Sequence, residues 1–258
     1  MRVGIVGLGE MGMPMLERLR AAGHDVDFQA RRAEVVEVAA SLGGRAVDGF
    51  GACDVVLVCV YSDEQVRDVA PGIVSSMRPG AILVNHTTGD PATATWLATL
   101  AEGRGVRVLD GALSGSPQSI RAGNLTLLVG GDDAVLDAAR PALSSYSEPI
   151  LRVGELGDGQ RVKLVNNALL GAHLGLAAEA ERVAADLGVD PAVALAAISR
   201  CSGGSSALQL VVTLGSAASL EAAAGRFLRK DAEVVAHVAT AAGVDLGKLT
   251  PSHWRDDL

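Results

Sequence analysis

The chain has 258 residues, 49% of them hydrophobic and 20% charged, a balance that can bury a substantial core and excludes an intrinsically disordered protein. Acidic side chains outnumber basic ones by 30 to 22 without any Lys/Arg run, which argues against nucleic acid as a partner. At this length we expect two modest domains.

The ends and apolar stretches of the chain give no sign of export or membrane insertion. The first residues, MRVGIVGLG, enter a strand and a glycine turn without the apolar length of a signal peptide. No later apolar run reaches the roughly 18 residues of a membrane span. We therefore expect a soluble, cytoplasmic protein with no membrane partner.

Cysteine and histidine are too scattered to form a metal site. Cys53, Cys59 and Cys201 are odd in number and widely spaced, so they form neither a disulfide framework nor a zinc pattern, and we predict buried reduced thiols. The five histidines include no pair spaced to place two ligands on one helical face. We expect no metal.

The first 110 residues alternate short β-branched runs with amphipathic stretches. Near-continuous apolar runs of this kind are typical of parallel strands covered on both faces. The pattern therefore predicts a doubly wound sheet with ligands bound beyond the carboxyl ends of its strands. Strands are predicted at Arg2–Val6, Val26–Gln29, Asp54–Val60, Ala81–Asn85 and Val106–Leu109, and helices at Met11–Ala22 and Ala33–Leu42.

The amino-acid composition of the chain changes after about Gly159. The stretch from Gln160 to Gly188 is rich in Ala and Leu and contains no proline, which predicts one long helix. No convincing strand follows it, so this part should be all-helical. Further helices are predicted at Pro191–Ser199, Ser205–Leu214 and Leu220–Ala242.

A glycine motif, GLGEMG, lies where the first strand ends and the first helix begins. Gly7 would permit the tight turn, Gly9 would let backbone approach a pyrophosphate, and Gly12 would allow close helix–sheet packing. A glycine turn that serves packing alone is the alternative. The predicted cofactor contacts in this motif are Gly7, Leu8, Gly9, Glu10, Met11 and Gly12.

These observations predict the fold class and its division. We expect an α/β Rossmann domain in residues 1–157, followed by an all-α domain in residues 158–258. The two should be joined within Gly154–Gly159.

Cofactor preference should depend on the end of the second strand, where NAD enzymes place an acid against the ribose hydroxyls. Here the sequence is Gln29-Ala30-Arg31-Arg32, with two guanidiniums able to hold a 2′-phosphate and no acid to repel one. Asp27 is the rival acid, but it lies inside the predicted strand. We predict NADP; a solvated arginine pair at a helix start is the alternative.

The segment GDGQRVKLVNN contains the candidate reacting groups. Lys163 and Asn167 are four residues apart, hence one helical turn apart on the same face. A partly buried lysine would have a lowered pKa and could exchange a proton with a substrate hydroxyl. Taken alone, such a pair is more often a snorkelling lysine and an exposed amide.

These two motifs are part of a set of five sequence blocks. In order and spacing, the five blocks together resemble those of the β-hydroxyacid dehydrogenase family. The resemblance spans nearly the whole chain. It implies a Rossmann domain, a helical domain whose long first helix often builds a dimer, and a homodimer or homotetramer here. The blocks are GLGEMG followed by GHDV and an arginine, Thr87-Thr88 with Pro91, DGALSGSPQSIRAGNLTLLVGG, GDGQRVKLVNN and Lys230-Asp231.

The resemblance also implies the roles of individual residues. Lys163 would be the general acid/base and Asn167 would orient the substrate. Ser114 and the backbone of Gly115 and Ser116 would hold the substrate carboxylate, and Lys230 would close the site. It assigns the remaining cofactor contacts to Val60, Thr88 and Lys230. The implied reaction is NADP-dependent interconversion of a small 3-hydroxyacid and its semialdehyde or keto acid.

The chain departs from the family pattern in several places. Ala30 stands where Asn is usual, Tyr61 where Pro is common, and Asn85-His86 where an Asp and an apolar residue are usual. The chain also ends soon after Lys230, at HWRDDL, so we expect a shortened last helix. Substrate identity therefore stays open.

Other classes of function remain as alternatives. A short-chain dehydrogenase is excluded, because neither Tyr61 nor Tyr146 is followed four residues later by lysine. An imine reductase shares the architecture but usually replaces the catalytic lysine. A non-catalytic NADP-binding protein would have no need of Lys163, Asn167 and Lys230 together. His86 is the remaining candidate base, although a lone histidine there is more often a loop hydrogen-bonder.

Overall fold

The computed structural model describes residues 1–249, which divide into two compact units between Lys163 and Leu164. The C-terminal HWRDDL segment, where we expected a shortened helix, lies outside the described residues. The predicted fold class, a Rossmann domain followed by an all-helical domain, is confirmed.

The first unit is built on an eight-stranded sheet with the order β3-β2-β1-β4-β5-β6-β7-β8. Neighbouring strands from β3 through β6 are parallel, β7 is antiparallel to β6, and β8 is parallel to β7. The strands are β1 Arg2–Val6, β2 Asp25–Gln29, β3 Arg45–Ala46, β4 Val55–Val58, β5 Ile82–Asn85, β6 Arg107–Ser114, β7 Leu125–Gly130 and β8 Ser147–Gly154.

Helices cover both faces of this sheet. Successive strand residues point to opposite faces, so Leu57 packs into one hydrophobic cluster and Val56 into the other. This burial on both faces explains the continuous apolar runs in the sequence. The helices are α1 Gly12–Ala21, α2 Ala33–Ser41, α3 Asp63–Ser76, α4 Pro91–Glu102, α5 Pro117–Ala122 and α6 Asp133–Leu143.

The strands that begin within the first 110 residues are parallel as predicted, and β7, which lies beyond them, is antiparallel to β6. Only residues 115–124 connect β6 to β7, and they include the short helix α5. A parallel return requires a crossover of a dozen or more residues, so the chain turns back instead. The strand predicted at Val106–Leu109 is also longer than expected, since β6 continues to Ser114.

The second unit is helical throughout its described part, residues 164–249. Its long helix α7 begins in the first unit and crosses the division. One cluster, around Leu174, Leu195 and Val211, joins α7 to the helices that follow, and a second joins Leu164 to Val235. The helices are α7 Asp158–Asp186, α8 Pro191–Ile198, α9 Ser206–Leu214 and α10 Ala217–Ala242, followed by a 3₁₀ turn at Gly247–Leu249.

The cysteines are reduced, but the expectation that all are buried was wrong. Cys53 is buried, Cys59 is half-buried, and Cys201 is exposed. Cys201 lies just after the end of α8, in the turn that follows it.

The length and hydropathy of the helices in residues 1–249 decide whether a helix there could span a membrane. No single helix there is both long and apolar enough to cross a bilayer, and only the sharply bent pair Ser206–Leu214 and Ala217–Ala223 reaches that length and composition when taken together.

Candidate active site

The carboxyl ends of the parallel strands lie at the same height and together form one edge of the sheet. Val6 pairs with Val58, Val58 with Asn85, and Asn85 with Asp110, so β1, β4 and β5 all end at the level of Asp110. Among the parallel strands β3 to β6, only β6 continues beyond that level, to Ser114, and β7 pairs with this extension. Ser114 therefore lies past the edge where doubly wound folds bind their ligands.

The GLGEMG turn leads from β1 into α1 and depends on close backbone approach. Gly7 has φ +97°, and a Cβ there would overlap the carbonyl oxygen of Cys59. A Cβ on Gly12 would overlap the carbonyl oxygen of Gly7, so this glycine serves the turn itself rather than the expected contact with the sheet. Gly9 has no atom within 4 Å of the place its Cβ would take. The open side of the turn therefore leaves room for a bound group.

The remaining residues of the motif differ in their exposure. Leu8 is buried and Met11 packs against the core, whereas Glu10 is exposed. The Leu8 and Met11 side chains therefore serve the core, while the Glu10 side chain faces the surface.

The loops after β4 and β5 lie beside this turn. A Cβ on Gly7 would be 3.1 Å from Val60 Cγ1. The Val60 backbone N–H donates to Thr87 Oγ1 at 3.1 Å, and the Thr87 N–H donates to Asn85 Oδ1 at 3.1 Å. The structure therefore brings Gly7, Val60 and the loop that carries Thr88 together at one edge.

The end of β2 presents cations rather than an acid. Asp27 is only 3% exposed and is bound by the Arg45 guanidinium. Arg31 and Arg32 are both exposed, and Arg32 lies 3.6 Å from Glu34 in a surface ion pair. Surface ion pairs of this kind contribute little to stability, so both arginine side chains can reorient toward an anion.

Ser114, Gly115 and Ser116 form the passage from β6 into α5. Gly115 has φ +145°, a conformation that favours glycine. Ser116 caps α5, since its Oγ accepts from the Ser119 N–H at 3.3 Å while its own N–H donates to Ser119 Oγ at 3.4 Å. A carboxylate bound to the Ser116 N–H would therefore replace or share this long bond.

Lys163 lies half-buried near the start of α7, which is anchored to the sheet. Asp110 is 0% exposed and its carboxylate accepts from the backbone N–H groups of Gly157 at 2.7 Å and Gln160 at 2.8 Å. Burial raises the pKa of Asp110 above its usual value, against the lowering effect of these two hydrogen bonds. Gln160 Oε1 in turn accepts from the Gly89 N–H at 3.2 Å.

In the second unit one carboxylate joins two of the predicted site residues. Asn167 Nδ2 donates to Asp231 Oδ2 at 2.7 Å, and Lys230 Nζ lies 3.0 Å from Asp231 Oδ1. The side chains of Lys230 and Asp231 are only 18% and 17% exposed. Asp231 therefore holds Asn167 and Lys230 next to each other.

His86 is not placed to act as a base. It is buried beneath the edge, where its Nδ1 donates to the Gly111 carbonyl at 2.5 Å and its Nε2 accepts from the Tyr146 hydroxyl at 2.8 Å. Burial lowers the pKa of His86 to about 4, although the hydrogen bond to Gly111 acts in the opposite direction. Both ring nitrogens are thus committed to the protein interior.

Asp110, Gln160 and Asp231 were each quoted only as part of a motif block, and sequence reasoning gave none of them a role. The sequence did contain one signal for Asp110, because Gly157 precedes a long helix without any side chain to cap it. Among residues 1–249, no group of three or more His, Cys, Asp or Glu side chains is arranged to hold a metal ion.

Two family models match the chain along its length. Residues 2–154 match the NAD binding domain of 6-phosphogluconate dehydrogenase. Residues 157–252 match a model described as the NAD-binding domain of NADP-dependent 3-hydroxyisobutyrate dehydrogenase.

Curated relatives and solved structures agree with these models. The chain is 32% identical to 3-hydroxyisobutyrate dehydrogenase of Pseudomonas aeruginosa, over 81% of this chain and 72% of that protein. It is 31% identical to 2-(hydroxymethyl)glutarate dehydrogenase of Eubacterium barkeri, over 81% and 71%. The structure of Mycobacterium tuberculosis 3-hydroxyisobutyrate dehydrogenase with L-serine superposes with a TM-score of 0.87 at 26% identity, covering 98% of this chain and 90% of that one.

Proposed function

Because the chain belongs to the β-hydroxyacid dehydrogenase family of NAD(P)-binding oxidoreductases, we propose that it interconverts a small 3-hydroxyacid and its semialdehyde or keto acid with NADP. The observation that carries the proposal is the placement of Lys163, half-buried at the anchored start of α7, while His86 is committed to the interior. Lys163 is then the group that exchanges the substrate proton.

The chemistry divides between the protein and the cofactor. Bound NADP would accept the hydride from the substrate carbon during oxidation and return it during reduction. In the oxidation direction Lys163 Nζ takes the hydroxyl proton as the carbonyl forms, and it returns that proton in reduction. Asn167, one turn further along α7, orients the reacting oxygen through its side-chain amide.

The cofactor fits the residues present at the carboxyl edge. The open face at Gly9 and the start of α1 would receive the pyrophosphate, where backbone N–H groups and the helix dipole favour negative charge. Val60 and Thr88 border the same edge. Arg31 and Arg32 would hold the 2′-phosphate, which supports NADP over NAD.

The substrate should carry a carboxylate. In this proposal Ser114 Oγ and the backbone N–H groups of Gly115 and Ser116 bind it, because β6 projects past the strand ends and carries these donors there. By the family resemblance Lys230, which pairs with Asp231 within the second unit, would add a positive charge for the carboxylate.

The exposed face of α7 supports a homodimer or homotetramer. Its apolar residues recur every seven positions, which is the repeat of helices that pack along their length. Leu176, at the centre of this face, is 66% exposed. The exposed residues of this face are Val162, Val165, Leu169, Leu176 and Val183. Sedimentation should show an assembly that Leu176→Glu weakens and Leu210→Glu, on α9, does not.

A substrate panel and a lysine series test the proposed function. Small 3-hydroxyacids and semialdehydes would be assayed by NADPH absorbance with the wild type, Lys163→Ala and Lys248→Ala. Lys248 is an exposed lysine in the 3₁₀ turn and serves as the matched control. We expect Lys163→Ala to lose at least about 100-fold in kcat while it retains NADPH binding. Near-normal turnover in Lys163→Ala, or no turnover of any panel member by the wild type, would refute the proposal.

A further inference from the structure

The start of α7 has no capping side chain at its N-cap or third helical position, although the Asp158 N–H donates to the Glu155 carbonyl at 2.9 Å. The four N–H groups in the first turn of a helix need acceptors, which usually come from a Ser, Thr or Asp at the N-cap and a Glu at the third helical position. Here the residue before the helix is Gly157, which has φ +96° and no side chain. The third helical residue is Gln160, whose side-chain oxygen accepts from Gly89 instead.

Asp110 supplies both missing acceptors from a distant strand. Its Oδ1 accepts from the Gly157 N–H at 2.7 Å, and its Oδ2 accepts from the Gln160 N–H at 2.8 Å. These are the two positions that a capping box satisfies, here with one carboxylate in both roles. The negative charge also lies at the positive end of the helix dipole.

The space around this carboxylate exists only because its neighbours are glycines. A Cβ on Gly130 would overlap Asp110 Oδ1. A Cβ on Gly159 would lie 2.6 Å from Asp110 Oδ2 and 2.7 Å from the Leu128 carbonyl oxygen. With Gly157, three glycines therefore surround a carboxylate that has no exposed surface. Such a cage restricts Asp110, and with it the helix start, to one position.

The Asp110 contact joins the two segments that carry the proposed acid/base and the proposed carboxylate anchor. Lys163 follows Gln160 by three residues, which places it about 4.5 Å further along the axis of α7. Ser114 follows Asp110 by four residues, about 13 Å along β6. The strand that carries the proposed carboxylate anchor therefore also holds the helix that carries the proposed acid/base.

From this geometry we propose that Asp110 is a positioning residue, whose cap on α7 fixes the place of Lys163 relative to the end of β6. The inference rests on the proposed role of Lys163. A displacement of about 1 Å in a reacting group can cost on the order of 100-fold in rate. Loss of the cap should therefore lower kcat more than it lowers cofactor binding, because the GLGEMG turn has no contact with Asp110.

The first experiment compares Asp110→Asn with a matched cap variant. The Asn side chain keeps the shape but replaces one acceptor with an NH₂ group, so one helix N–H loses its partner. Asp132 caps α6 locally by accepting from the Val135 N–H at 3.0 Å, and α6 carries no site residue. We expect kcat to fall 10- to 100-fold in Asp110→Asn only, with NADPH affinity within about twofold of the wild type and melting temperatures lowered in both variants.

A double-variant cycle separates positioning from a general loss of structure. If Asp110 acts through Lys163, Asp110→Asn should lower the residual rate of Lys163→Ala by less than about threefold. The inference would be overturned if Asp110→Asn lowered the rate of Lys163→Ala by the same factor by which it lowers the rate of the wild type. Equal kcat values in Asp110→Asn and Asp132→Asn would also overturn it. Neither result would affect the proposed function, which fails instead if Lys163→Ala retains turnover. Should Asp110→Asn not fold, Gly159→Ala, which displaces the carboxylate without removing it, is subjected to the same cycle.

Discussion

Asp27 on β2 and Arg45 on β3 form a two-bond ion pair, in which the arginine Nε and Nη2 donate to the two carboxylate oxygens at 2.9 Å each. The buried Cys53 thiol also donates to this carboxylate, at 3.6 Å. Burial and the adjacent Asp27 raise the pKa of Cys53 to about 12, so the thiol remains a donor. The acid on β2 is therefore committed to the fold, and the end of this strand presents Arg31 and Arg32.

The first prediction is a preference for NADPH. With Asp27 occupied and two guanidiniums exposed, NADPH should bind at least about tenfold more tightly than NADH, which is about 1.4 kcal/mol. Fluorescence titration of both cofactors measures this ratio. Arg31→Ala should reduce the ratio, whereas Arg104→Ala, whose guanidinium binds the Ser75 carbonyl, should not. Equal dissociation constants in the wild type would contradict the assignment.

The second prediction separates two glycines of the turn. Gly9→Ala meets no protein atom, so its melting temperature should match that of the wild type, while NADPH affinity falls at least about tenfold as the methyl group enters the pyrophosphate position. Gly12→Ala overlaps the Gly7 carbonyl and should lower both stability and binding. Gly103→Ala, also in open space but at the end of α4, is the control and should change neither. Unchanged NADPH affinity in Gly9→Ala would remove the pyrophosphate from this turn.

The third prediction concerns acid stability. His86 has a folded-state pKa of about 4, below its ordinary value of 6.5, so the unfolded chain binds the proton more readily. The stability associated with neutral His86 is complete above pH 6.5 and is lost as the pH falls to 4. This loss amounts to about 3 kcal/mol in the free energy of unfolding.

Urea unfolding between pH 7 and pH 4 measures this loss. His86→Leu combined with Tyr146→Phe removes both partners of the buried hydrogen bond, and its stability should fall less steeply over this range. His173→Gln changes a half-buried histidine on α7 and should retain the wild-type slope. An identical slope in the double variant would show that His86 is not responsible.

Local patterns in the sequence predicted much of the fold. The glycine motif and the apolar strands could be predicted because turn geometry and strand burial depend on residues that are neighbours in the sequence. Strand β8 was missed because half of its residues are exposed and its pairing with β7 is irregular, so it lacks an apolar run. Strand β3 has two residues and carries no periodicity.

The candidate site was less accessible to sequence reasoning, because its supports are contacts between distant segments. Asp110 lies 47 residues from Gly157 and 50 from Gln160, and Asn167 lies 64 from Asp231. No local spacing connects such positions. The motif resemblance did select Lys163, Asn167 and Lys230, and their roles remain predictions.

The last prediction is that recognition requires a carboxylate on the substrate. Ser114 and the following backbone N–H groups lie beyond the strand ends, and the Lys230 ammonium is only partly exposed beside Asp231. A ligand without the carboxylate would desolvate Ser114 Oγ and the Gly115 N–H without supplying an acceptor, a penalty of roughly 2–4 kcal/mol or about 30- to 1,000-fold in kcat/KM.

The measurement compares kcat/KM for a 3-hydroxyacid, its methyl ester and the matching alcohol, in the wild type, Lys230→Ala and Lys248→Ala. The wild type and Lys248→Ala should favour the acid by the factor given above. Lys230→Ala should lose most of its rate with the acid and little with the ester, because its charge acts on the carboxylate. Melting temperatures and NADPH affinities identify variants that have lost structure or cofactor instead. If the ester matched the acid in the wild type, or if Lys230→Ala affected acid and ester equally, the carboxylate would bind elsewhere and the roles of Ser114 and Lys230 would have to be reassigned.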